Sequence, residues 1–348
     1  MSECPTFDYL LVVPRLRVQN ANAISSPLTH GFPAITAFIG LMWALERKTQ
    51  SLGLDLRFNA VSVVAHHCEE QVDDSGFIKT FNLTRNPIDK DGSTAAIVEE
   101  GRIHLDISLI FAVQSQALDD PQVAQRMAEQ VRDVLGGMRI AGGSVVPAQV
   151  PRWRQRPYVV VQTGEAWARR ERFNEIKLRL LPGFVLVERQ DLLETRLQWL
   201  RENEPEATCI DAWLSLSRIN WRWRHAPESE PSSADAADAP AGQAHAETGW
   251  HHDREGIGWI VPIPLGYGAL GDVQPPGSVA NARDRQVPFR FVESLYGIGQ
   301  WLSPHRLSEA EQLLWYADSQ PEDGLYRCRN DYTTPVFSSA GDTVSNVN

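Results

Sequence analysis

Lysine is nearly missing from this chain: Lys48, Lys79, Lys90 and Lys177 are the only four among 33 basic residues, so 29 are arginine. Arginine's planar fork takes phosphate in bidentate fashion and stacks on bases better than an ammonium does, although a GC-rich genome produces the same bias. Cysteine is also scarce. Cys4, Cys68, Cys209 and Cys328 form no CxxC pair and no dense framework, which excludes a disulfide scaffold, disfavours structural zinc and suits thiols kept reduced. No run approaches the ~18–20 consecutive apolar residues of a bilayer span, so a helical membrane protein is excluded. The first residues, MSECPTFDYLLVVPRLRV, lack the basic start and apolar stretch of a secretory signal, and the expected location is the cytoplasm. There is no Gly-x-Ser-x-Gly, no Walker loop and no dinucleotide fingerprint, so an enzyme reading has no constellation to rest on.

What is present is ordinary globular material: 348 residues, 43% hydrophobic, with a formal charge of −11. An acidic total opposes nucleic-acid binding, which is driven by cationic surface. The charge is unevenly placed. Residues 226–255 hold seven acids and one base in an Ala/Pro/Ser-rich stretch that reads as a disordered loop, and residues 318–348 hold five acids and two bases. Between Arg139 and Arg179, nine bases face three acids. A basic block therefore sits inside an acidic protein.

Periodicity predicts a strand over Asp8–Val18, a helix over Pro33–Lys48, a strand over Phe58–His66, a long polar excursion over residues 68–102, and a strand over Ile103–Val113. A helix over Pro121–Leu135 and a Gly-rich strand over Met138–Val146 follow. The order βαββαβ is that of ferredoxin-like folds and RNA-recognition modules. Further helices are expected over Arg189–Glu202, Glu206–Leu216 and Glu309–Ala317. The fold class is α+β: a modified ferredoxin-like core over residues 1–150 with a hairpin inserted at 68–102. A basic, mostly helical continuation (151–225), the acidic loop (226–255), a C-terminal part completing the fold (256–330) and a tail (331–348) follow.

Three polar clusters are candidate surfaces. Arg15, Arg17, Gln19, Asn20 and Asn22 end the first strand, where alternation places the two arginines on one face and the amides can meet base edges or phosphate, or simply satisfy a turn. Arg85, Asn86, Lys90, Ser93 and Thr94 lie in the excursion, which reads as a protruding hairpin. Arg139 with Gly142 and Gly143 offers either a close phosphate approach or a bulge. His66 to Glu70 looks like a metal cluster, but neighbours in a strand point to opposite faces, and no metal or cofactor is expected. His251 and His252 fall in the acidic loop and should be solvated.

The runs PRLRVQNANAISSPLTHGFP (14–33), FNLTRNPIDKDGSTAAIVEEGRIHLDISL (81–109), MRIAGGS (138–144), RLLPGFVLV (179–187), GWIVPIPLGYGAL (258–270), VANARDRQVPFRFVESLYGIGQWLSPHR (279–306) and GLYR (324–327) together closely resemble the Csy-two family. Its members are the Cas-five-type subunits of the type I-F CRISPR surveillance complex. The likeness runs in order along nearly the whole chain and departs most at 148–172, in the acidic loop and after Arg329. The resemblance implies an RRM-like (RAMP) scaffold without catalysis that holds the 5′ handle of the crRNA. It would pair with the large subunit, abut a backbone subunit and adjoin the place where target DNA is first engaged. By the same resemblance, RNA contacts would fall at Arg15–Asn22, Arg139–Gly143, and Asn281, Arg283 and Arg285, with the hairpin at Arg85–Thr94 as a thumb-like projection. Handle bases would stack on rings such as His30 or Phe32. Two other readings stand beside it: a RAMP-type RNA-processing endonuclease using His30, His66 or His104, and an adaptor that binds only protein.

Overall fold

The computed structural model describes residues 3–76, 78–85, 88, 91–94, 97–147, 153–224 and 249–333. The first strand, β1 (Tyr9–Asn22), has two halves. Its opening run YLLVVP is buried throughout, as befits a strand covered on both faces, whereas from Arg15 onward exposed and buried residues alternate. A short ladder, β2 (Ile24–Ser26) with β3 (Thr29–His30), leads into helix α1 (Ile35–Ser51). That helix buries Ile35, Phe38, Ile39, Met42 and Leu45, the i, i+3, i+4, i+7 stripe anticipated for it.

Strand β4 (Arg57–Glu70) follows, and the expected excursion contains two small ladders: β5 (Val72–Asp74) with β6 (Lys79–Phe81), and β7 (Leu83–Arg85) with β8 (Ile97–Glu99). Asn86 and Lys90 of the expected thumb lie outside the described residues. Strand β9 (Arg102–Gln114) returns to the core, and α2 (Pro121–Gly136) opens on an Asp120 cap that accepts from the Gln122 and Val123 amides, with Pro121 at its first position. The single strand expected at Met138–Val146 is instead a tight hairpin, β10 (Arg139–Ile140) and β11 (Gly143–Val146).

Beyond it come β12 (Tyr158–Val161), α3 (Ala166–Arg179), β13 (Phe184–Glu188), α4 (Gln190–Arg201), α5 (Cys209–Ser217), β14 (Trp221–Arg224), β15 (Gly249–His252), β16 (Ile260–Ala269), β17 (Val292–Leu302), β18 (Trp315–Gln320) and β19 (Leu325–Asn330). Two expectations are corrected here. Residues 249–252 do not belong to a disordered loop: they pair with β14, and His252 packs edge-on against Trp221 at 4.9 Å. Residues 253–255 of the expected loop 226–255 likewise form a turn, with Asp253 accepting from Asn220 at 2.7 Å, and residues 226–248 lie outside the described residues. The last helix expected at Glu309–Ala317 is only a 3-10 turn (Ala310–Leu313) followed by β18. Leu313, Leu314, Trp315 and Tyr316 are all buried, and four consecutive buried side chains suit a covered strand better than an amphipathic helix.

The chain forms two compact units. One comprises Met1–Glu188, Pro264–Leu295 and Leu302–Asn348, so it runs past the boundary expected at residue 150 and includes most of the C-terminal part. Its antiparallel sheet follows the order β11, β1, β9, β4, with β10 beyond β11 and β18 and β19 beyond β4. Helices α1 and α2 cover one face, over Leu11, Val13, Ile107 and Phe111. On the other face, α3 and the C-terminal segment bury Leu10, Val12, Ile110, Val64, Phe173 and Tyr316 in one cluster. The second unit comprises Arg189–Ile263 and Tyr296–Trp301. It centres on Trp213, whose indole donates to the Gly297 carbonyl at 3.0 Å, with Leu193, Leu216, Ile260 and Ile298 around it.

Trp315 tests how β18 is held. It is 1% exposed and its indole N–H donates to the Leu186 carbonyl at 2.8 Å. Trp315→Ala should cost about 3–5 kcal/mol through the cavity and the orphaned carbonyl. Chemical denaturation should register that loss; a midpoint close to the parent's would mean that β18 contributes little to the core.

Candidate nucleic-acid interface

The face of the sheet that α3 covers is apolar at one end and polar at the other. Along β1 it passes from Leu10 and Val12 to Arg17 and Gln19; along β9, from Ala112 and Ile110 to Ser108, Asp106 and His104. Register places Arg17 opposite Asp106 and Val146, Gln19 opposite Ser144, and Ser144 opposite Arg139. Where the apolar cover ends, an open concavity of about 480 Å³ is lined by Gln19, Asn20, Glu100, Arg102, Arg139, Gly142 and Ser144. Folding thus brings together two clusters more than a hundred residues apart in sequence.

The backbone of this region is kept in unusual conformations. Arg15 (φ 55°), Asn20 (φ 55°) and Ala141 (φ 47°) have positive φ here, as does Asn281 (φ 59°) elsewhere in the chain, and all four lie in stretches singled out from sequence. Such a conformation costs a side-chain-bearing residue on the order of 1 kcal/mol and persists only where surroundings enforce it. At Arg15 the enforcement is visible. The β1–β9 register slips between Val13 and Leu16, so Pro14 and Arg15 form a bulge opposite Ser108. The Arg15 N–H donates to Ser108 Oγ at 3.1 Å, and Ser108 Oγ lies 2.7 Å from His66 Nε2. His66 Nδ1 lies 2.7 Å from the Pro182 carbonyl; a carbonyl only accepts, so Nδ1 carries the proton and Nε2 accepts from Ser108. The Arg15 guanidinium ends 3.7 Å from Asp106. At the second slip, Asn20 N–H donates to His104 Nδ1 at 3.2 Å.

The hairpin at 139–146 turns on Ala141 and Gly142, both with positive φ, the pattern of a type I′ turn. Gly143 is buried, and a Cβ there would lie 2.7 Å from the Ala21 amide and the Gln19 carbonyl, so its lack of a side chain lets the hairpin close on β1. The Asn22 amide donates to the Ala141 carbonyl at 2.9 Å, and its side chain bonds both the N–H and the carbonyl of Ile24. Gly143 and Asn22 therefore position the site, while Arg17, Gln19, Asn20 and Arg139 are exposed on it.

Other candidate residues lie elsewhere. His30 contacts Glu70 at 2.9 Å and packs edge-on to Phe81; Phe32 stacks on buried Phe38 at 5.6 Å. Ser93 and Thr94 are exposed, with the Ser93 amide donating to Asp91. Asn281, Arg283 and Arg285 are exposed on a long arm closed at its base by the Gln274–Phe289 bridge. That arm follows β16, whose partner is β19, far along the strand order from β11. Asp284 accepts from the Gln286 amide at 2.8 Å, making a turn. Arg102, His104 and Ser144 were not among the candidate contacts; alternation along IHLDIS put His104 on the right face, but only the register reveals its neighbours.

The basic block is largely committed to internal contacts. Arg156 pairs with Glu129 at 2.9 Å, Arg169 with Glu311 at 3.4 Å and Arg170 with Glu309 at 2.6 Å. Arg172 donates to the Thr163 carbonyl, Lys177 to that of Leu307, and Arg179 lies over the Tyr158 ring. Its sequence charge overstates the cation it presents.

Burial, the leading cause, with the nearby Arg15 guanidinium, holds the His66 imidazole below its usual range against the Pro182 carbonyl and Asp106. The unfolded chain takes up that proton near pH ~6.5 and the folded chain only at lower pH. This contribution to stability is thus complete above ~6.5 and is lost as the pH falls from there, by no more than ~1.4 kcal/mol per pH unit. Melting temperature should fall between pH 7.5 and 5.5, and fall less in His66→Gln; parallel curves for the two proteins would remove His66 as the cause.

A family model described as CRISPR-associated protein (Cas_Csy2) matches residues 11–328. The CRISPR-associated protein Csy2 of Pseudomonas aeruginosa (strain UCBPP-PA14) is 46% identical over 331 residues, which cover 94% of this chain and 96% of that protein. With the match running from β1 to β19, the chain belongs to the Csy2 family of CRISPR-associated proteins.

Proposed function

We propose that this chain is a non-catalytic RNA-binding subunit of a type I-F CRISPR surveillance complex, and that the polar half-face of its sheet holds the 5′ handle of the crRNA. The observation that carries this reading is the concavity in which Gln19, Asn20 and Arg139 come together, bordered by residues of positive φ, with exposed Arg17 two residues before Gln19 on the same strand. Arg17 and Arg139 supply phosphate contacts, while the Gln19 and Asn20 amides can donate to and accept from exposed base edges. The βαββαβ order, with the fourth strand beside the first, the first beside the third and the third beside the second, supports an RRM-like (RAMP) core whose open face receives single-stranded RNA. In this reading the arm at Asn281–Arg285 and the projection at Arg85–Thr94 touch RNA or a neighbouring subunit away from the concavity. The large subunit and a backbone subunit are its protein partners, target DNA passes nearby, and guide pairing reads the target sequence.

The histidines an endonuclease would need are engaged structurally: His66 by Ser108 and Pro182, His30 by Glu70 and His104 by the Asn20 amide. The Ser108–His66 pair has the geometry of a nucleophile and base, yet Ser108 is 1% exposed, out of a phosphodiester's reach.

In the assembled complex, Arg17→Ala and Arg139→Ala should each weaken crRNA retention by roughly three- to thirtyfold and flatten the salt dependence by about 0.7 per lost phosphate contact. Gln19→Ala should instead weaken the native handle more than one of scrambled sequence. Filter binding from 50 to 300 mM salt measures both effects. Parental affinity and slope in all three variants would place the handle elsewhere, and cleavage of the guide precursor by the purified chain would overturn the non-catalytic reading.

A further inference from the structure

Within the second unit, β14 and β15 make a two-stranded ribbon. Its register sets Trp221 opposite His252 and Trp223 opposite Trp250 on one face, and Arg222 opposite His251 on the other. The Trp223 and Trp250 rings meet edge to face at 5.7 Å, yet Trp221, Trp223 and Trp250 stay 59%, 48% and 62% exposed. The ribbon is anchored at its base. Asn220 donates to Asp253 at 2.7 Å, and Arg196 of α4 donates to the Asp253 carbonyl at 2.8 Å and reaches its carboxylate at 3.9 Å. A two-stranded ribbon is marginal by itself, and half-exposed indoles concentrated on one are unusual for a free surface.

We propose that the aromatic face of this ribbon docks into another protein subunit of the Csy complex, one that offers an apolar groove with a basic border; this rests on the assembly reading above. At ~150–250 Å² per aromatic side chain, three half-exposed indoles present roughly 250–400 Å². That is a third to a half of the ~800 Å² each partner gives to a stable interface, and tryptophan is the residue most often at its energetic centre. Two facts favour protein over nucleic acid. The rings and the Arg222 guanidinium lie on opposite faces, whereas a base-stacking platform needs rings and cations on the same side. The stretch joining the two strands, 225–248, holds five acids (Glu228, Glu230, Asp235, Asp238, Glu247) and no Lys or Arg, which repels a polyanion and suits a basic rim.

The test is co-expression of the chain with the other Csy subunits and crRNA, comparing Trp250→Ser and the double variant Trp223→Ser/Trp250→Ser with Arg222→Ser on the opposite face. Both tryptophan variants should lose tenfold or more in subunit association by size exclusion and interferometry, with circular dichroism and melting of the isolated chain close to the parent's. Arg222→Ser should assemble normally. Hydrogen exchange should show 221–224 and 249–252 protected only in the complex. Parental association in the double variant, or exchange there that assembly leaves unchanged, would overturn the proposal. Loss of single-stranded RNA or DNA binding without loss of subunit association would assign the ribbon to nucleic acid. Assembly lost in the tryptophan variants while Arg17→Ala and Arg139→Ala retain RNA normally would uphold the docking face and overturn only the handle site.

Discussion

At Pro14 the long first strand loses a backbone donor, and the organisation of the site depends on that gap. Up to Val12 the outer edge of β1 pairs with β12, and from Arg17 to Gln19 it pairs with β11; the change of partner falls where proline cannot donate. The bulge that results turns Arg15 into a left-handed conformation and gives its N–H to Ser108, whose hydroxyl is in turn held by His66. Upstream, the strand is core on both faces. Downstream, one face remains core while the other carries Arg17 and Gln19 beside His104 and Asp106. A single interrupted ladder thus divides an apolar half-sheet from a half-sheet with one polar face.

The distribution of charge follows the same division. A formal −11 seems hostile to RNA, and the run of bases between Arg139 and Arg179 seems to answer it. Packing reverses the weight of both. Arg156, Arg169 and Arg170 pair with glutamates on α2 and on the segment before β18, serving to fasten α3 and its neighbours within the first unit. Of the acids, five lie in 225–248 and one follows Tyr332, and neither stretch holds a Lys or Arg. At the concavity Arg102 pairs with Glu100, which leaves Arg139 beside the Gln19 and Asn20 amides.

Amphipathic period made α1, α2, α4 and α5 legible, and alternation made β1, β4 and β9 legible, because each buries one face against a continuous core. The same logic misread Glu309–Ala317, where Leu313 to Tyr316 are buried on every side and no period survives. It also passed over β15, since Gly249–His252 is held by a partner strand 25 or more residues away instead of by its own composition.

Residue order alone settles the α+β alternation, the polar end of β1 and the family to which the chain belongs, because these depend on short-range periodicity and long collinear runs. Tertiary structure alone decides that Gly143 and Asn22 position rather than touch, that most of the basic block is paired internally, and that Arg139 stands beside Gln19. The reason is physical: strand register and the burial of a charge are set by partners distant in sequence, and no local pattern encodes which partner that is.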